Sequence, residues 1–89
     1  MDEIEERLRK WHDHKFGPGR FDTVRTALKG AEEMGELAKA VLKCDWENVE
    51  EELADVFFIL LHIARQRKVS LLDCARKKLT VIEKRVGIR

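Results

Sequence analysis

Five carboxylates fall into two groups along the chain: Glu32, Glu33 and Glu36, then Glu52 and Asp55. Glu33 and Glu36 are three residues apart, as are Glu52 and Asp55, so on helices each pair shares a face. Two antiparallel helices joined near Cys44-Asp45 can bring the pairs opposite one another. Four carboxylates converging in this way repel unless a cation sits among them. Oxygen-only ligation of this kind suits magnesium or manganese.

The elements that must position these acids read as helices. Asp2 to roughly His14 carries Ile4, Leu8 and Trp11 at helical spacing, and Phe16-Gly-Pro-Gly-Arg20 breaks it. Asp22 caps a second helix to about Lys43, with an apolar stripe that includes Val24, Leu28, Ala31, Ala38 and Val41. Asp45 is an N-cap for a third helix to about Arg67. Ser70 with Asp73 resembles a capping box for a fourth, which carries Leu71, Leu72, Ala75, Leu79, Ile82 and Val86. The expected fold is all-α, a small bundle of three to four helices forming a single domain over residues 1–89.

Between residues 53 and 64 the third helix is apolar nearly all round, and such a helix needs cover on every side. Three other helices in a chain of 89 residues can hardly supply it. The expectation is an obligate homo-oligomer, a dimer or tetramer. Glu52 and Asp55 lie in this apolar helix, where unpaired carboxylates cost several kcal/mol by order of magnitude, so a metal or cationic partner explains them better than structure alone. Glu33 lies about 40° from Leu37, at the edge of its helix's apolar arc, and Glu36 lies in the polar arc.

Composition excludes several classes. Charged residues make up 39% of the chain but the net charge is +1, which argues against a dedicated nucleic-acid binder. The longest apolar run, Val56 to Leu61, is too short to span a bilayer, and the acidic N-terminus gives no signal peptide. Cys44 and Cys74 show no metal-site spacing and read as reduced thiols, so the expected location is cytoplasmic.

Glu32-Glu33-Met34-Gly35-Glu36-Leu37 followed by Glu52-Leu53-Ala54-Asp55 resembles the EExxE…ExxD signature of the MazG-like, all-α nucleoside triphosphate pyrophosphohydrolases. The resemblance runs from about Trp11 to Arg85. It implies hydrolysis of a (deoxy)nucleoside triphosphate between the α and β phosphates, with a role in nucleotide-pool control. By that resemblance Glu33, Glu36, Glu52 and Asp55 ligate magnesium, for which manganese can substitute. Glu32 is then either the base that deprotonates the attacking water or an outer group that supports the ligands.

Lys78 and Arg85, seven apart on the fourth helix, can track a triphosphate tail, or form a solvated basic helix end favoured by the macrodipole. Ile82 stands where the family often has Asn. Related proteins use the region of Trp11 and Phe16 near the base, and both rings can stack on one or pack in the core. A phosphoribosyl-ATP pyrophosphohydrolase-like enzyme is the neighbouring alternative. A non-enzymatic helical oligomerisation module is the other.

Overall fold

The computed structural model describes residues 2–18 and 22–88, so the end of the Gly-Pro-Gly-Arg break, at Gly19 and Arg20, lies outside the described residues. Four helices follow in order: α1 (Asp2–Phe16), α2 (Thr23–Leu42), α3 (Trp46–Gln66) and α4 (Leu71–Arg85). The all-α expectation is borne out. Among the described residues no helix is long and apolar enough to cross a membrane.

Three of the starts are fixed by side-chain caps. Asp22 Oδ1 accepts from the Arg25 amide at 3.1 Å, Asp45 Oδ1 from Asn48 at 3.3 Å, and Ser70 Oγ from Asp73 at 3.2 Å. The ends of α2 and α3 share one closure. Cys44 and Lys68 take left-handed backbone at φ 55° and 58°. The Asp45 amide then donates back to the Ala40 carbonyl, and the Val69 amide to that of Ala64, at 3.1 and 3.0 Å. Neither turn uses glycine. α1 runs two residues beyond the expected His14 and stops at Gly17, which sits at φ 93°.

The fold is centred on the antiparallel α2–α3 pair, and among the described residues α1 and α4 each pack closely against α3 alone. Gly30 permits the close approach of that pair, since a Cβ there would meet Ile59 Cγ2 at 3.1 Å. The apolar core is thin: Leu8, Ala40, Leu61 and Ala64 are its buried members among the described residues. α3 buries Leu61, His62 and Ala64 toward its C-terminal end, while Leu53 and Leu60, seven apart on one stripe, are 53% and 46% exposed. Its own chain therefore leaves that stripe of α3 open. The radius of gyration is 15.4 Å, against about 12 Å for a compact domain of this length. Both cysteines are free and exposed.

Candidate metal centre

The α2–α3 pairing brings three carboxylates together. One oxygen from each of Glu33, Glu36 and Glu52 lies within 4.8 Å of the others. Glu33 is buried at 8% exposure, Glu52 half-buried and Glu36 exposed. Asp55 stands outside this trio but lines the same groove as Glu32 and Glu33. The burial differs from the reading of the sequence, in which Asp55 and Glu52 were the embedded pair. Asp55 is exposed in the single chain and Glu33 is the buried carboxylate. A helix that is apolar nearly all round does not announce which side faces inward.

Carboxylates so close must share a proton or a cation. With a proton, Glu52 holds it and is pushed up to about 7, first by its hydrogen bond to Glu33, then by burial, then by the charges of Glu33, Glu36 and Asp55. Glu33 is held below the ordinary carboxylate range, first by the same bond and further by Lys29. Once ionised, Glu52 has a buried Oε2 with no donor among the described residues. Three carboxylates, one of them with an orphaned oxygen, fit a divalent cation such as magnesium. Lys29 supplies the local positive charge, with Nζ 3.4 Å from Glu33 and 3.5 Å from Glu32.

Beside the trio an open groove of about 1520 Å³ runs between α1, α2 and α3. Its acidic end is Glu32, Glu33 and Asp55, and its other end is aromatic. Trp11 and Phe16 meet edge to face at 6.2 Å, and the Lys15 ammonium sits 5.2 Å from both ring centres. Both aromatics expected to touch substrate thus line the groove. Lys78 and Arg85 do not line it.

Two features escaped the sequence reading. Lys29 precedes Glu32 and Glu33 by three and four residues, a spacing that places it beside both. His12 follows the buried Leu8 by four, which turns it inward against His62, with ring centres 4.8 Å apart. His62 is 6% exposed and its Nδ1 lies 3.5 Å from Arg65. Burial pushes His62 down to about 4, helped by the charges of His12 and Arg65. His12 is lowered by burial and Arg65, against the opposing pull of Asp13.

The folded pKa of each histidine lies below the unfolded value, so the unfolded chain binds more protons between the two. The stability is present above about pH 6.5 and is lost as pH falls toward 4. The loss at His62 is on the order of 1–2 kcal/mol after solvent screening. In a Trp46→Phe background, Trp11 emission should therefore report α1 loosening from α3 between pH 6.5 and 4. The midpoint should move down in His62→Asn. An unchanged acid profile would show that the histidine contact does not hold α1.

The model of the MazG nucleotide pyrophosphohydrolase domain matches residues 22–86, well over half of the chain. The match takes in α2, α3 and α4 with all five acids, and leaves α1 outside. Neither the curated proteins nor the solved structures give a match. The matched span carries the acid-bearing helix pair, and the chain belongs to the family of MazG nucleotide pyrophosphohydrolase domains.

Proposed function

We propose that this chain is a magnesium-dependent hydrolase that cleaves (deoxy)nucleoside triphosphates between the α and β phosphates, releasing a monophosphate and pyrophosphate. The observation that carries the proposal is the carboxylate trio of Glu33, Glu36 and Glu52, with its orphaned Glu52 oxygen. On this reading those three and Asp55 hold magnesium, or manganese in its place. The bound ion would supply a water of lowered pKa and neutralise charge on the phosphates. Glu32, 68% exposed and on the groove wall, takes the proton of the attacking water or orients that water. Trp11 and Phe16 offer faces on which a base can stack.

A homo-oligomer completes the proposal. The extended single chain, the thin core and the uncovered side of α3 support a second copy packed there. Lys78 and Arg85 would then serve the phosphates of a neighbouring subunit's groove. The two exposed free thiols agree with a cytoplasmic enzyme of nucleotide-pool control.

The test is release of pyrophosphate across a panel of canonical and damaged nucleoside triphosphates together with phosphoribosyl-ATP. Magnesium-dependent release from deoxynucleoside triphosphates is expected. Activity on phosphoribosyl-ATP alone would move the assignment to that neighbouring enzyme. No release from any substrate, with no shift of melting temperature by magnesium, would leave a helical oligomerisation module.

A further inference from the structure

The groove is lined by four cations, Arg7, Lys15, Arg25 and Lys29. Lys15 is engaged at the aromatic end, over Trp11 and Phe16. Lys29 is the one that the structure places against the acids, bridging Glu32 and Glu33. Its side chain is 59% exposed, on a flexible stem that can swing without disturbing the core. One helical turn before it, Arg25 extends the basic strip away from Glu33, about 6 Å along the axis. The strip and the acid Glu33 therefore lie in line on one face of α2.

A divalent ion among Glu33, Glu36 and Glu52 competes with Lys29 for the Glu33 carboxylate that the two share. Lys29 would then be released close to the place where a polyphosphate must enter. The polyphosphate is strongly anionic, and the acids outnumber the charge of one ion. A neighbouring cation freed by metal binding offsets both.

We propose that Lys29 is an exchanging cation of this site: it neutralises Glu32 and Glu33 before metal arrives, then turns to bind the triphosphate of the substrate. The proposal rests on the hydrolase reading above. A surface ion pair on a helix would instead make a small contribution to helix stability and nothing else.

The two readings separate in Lys29→Gln, examined by calorimetry on the intact chain. Without nucleotide, Lys29→Gln should bind magnesium about three- to tenfold more tightly, because an internal competitor is gone. At saturating magnesium, it should bind an α,β-methylene deoxynucleoside triphosphate about tenfold or more weakly, because a charge-assisted phosphate contact is lost. KM should rise more than kcat falls, and Lys29→Arg should recover most of the nucleotide affinity. Unchanged magnesium and nucleotide affinities would reduce Lys29 to an ordinary helix pair and overturn the proposal. Tighter magnesium with unchanged nucleotide binding would overturn it too, since the exchange to phosphate would be absent. A wild-type chain that binds both probes but releases no pyrophosphate sinks the hydrolase reading and leaves the Lys29 comparison intact. One that binds no magnesium overturns both.

Discussion

Glu52→Gln is expected to lower magnesium-dependent pyrophosphate release by about a thousandfold or more while leaving the metal-free chain folded. The amide keeps the shape of Glu52 and can donate to Glu33, so the α2–α3 contact survives. It removes the negative charge from the oxygen that has no donor among the described residues. Metal affinity and activity therefore fall together, and stability without metal moves the other way.

The sign follows from the shared proton. Glu52 titrates near 7 in the folded chain, above its ordinary 4.5. The folded state thus holds a proton that the unfolded state has released, and stability falls as pH rises through this window. Glu33 shifts in the opposite sense, and its window lies below 4.5. The charges facing Glu52 are Glu33 and Glu36 from α2 and Asp55 from α3, with Lys29 offsetting Glu33. In chelator, the melting temperature of Glu52→Gln should match wild type near pH 4.5 and exceed it by pH 8. Magnesium should then raise the melting temperature of the wild type and not of the variant. A variant that melts lower at every pH, and still responds to magnesium, would mean that Glu52 is structural.

Leu53→Glu with Leu60→Glu is expected to convert the protein to a monomer and remove its cooperative melting. These leucines lie seven apart on the side of α3 that the chain leaves open. Each buried leucine contributes about 1.5–3 kcal/mol, a large share of the stability available to so small a domain. No described side chain is less than 2% exposed, so little else holds the fold. Light scattering on the wild type should give a dimer or larger species. A monomeric wild type with a sharp transition, unaffected by the two charges, would remove the case for an obligate oligomer.

The helix starts were legible because Asp22, Asp45 and Ser70 are capping residues placed before apolar periodic runs. The ends were less so, since Cys44 and Lys68 close the turns in a conformation usually marked by glycine. The resemblance carried by the two acid motifs is matched by the domain family over residues 22–86. Burial was the weaker part. Periodicity ranks positions on a helix only when one face is polar, and α3 is apolar nearly all round from residue 53 to 64. Gly30 marks where α2 comes close to α3, since a side chain there would crowd Ile59. The basic residues of α4 read as phosphate ligands from charge and spacing, but a single chain keeps that helix away from the groove. Of the cations that do line the groove, Arg25 and Lys29 precede the acids on α2 and are visible in the sequence at helical spacing.

The most direct measurement is phosphorus NMR of a deoxynucleoside triphosphate incubated with the protein, with magnesium and with chelator. Resonances of the monophosphate and of pyrophosphate should grow together in magnesium and stay absent in chelator. Growth of a diphosphate with orthophosphate, or equal turnover in chelator, would contradict a metal-centred cleavage between the α and β phosphates.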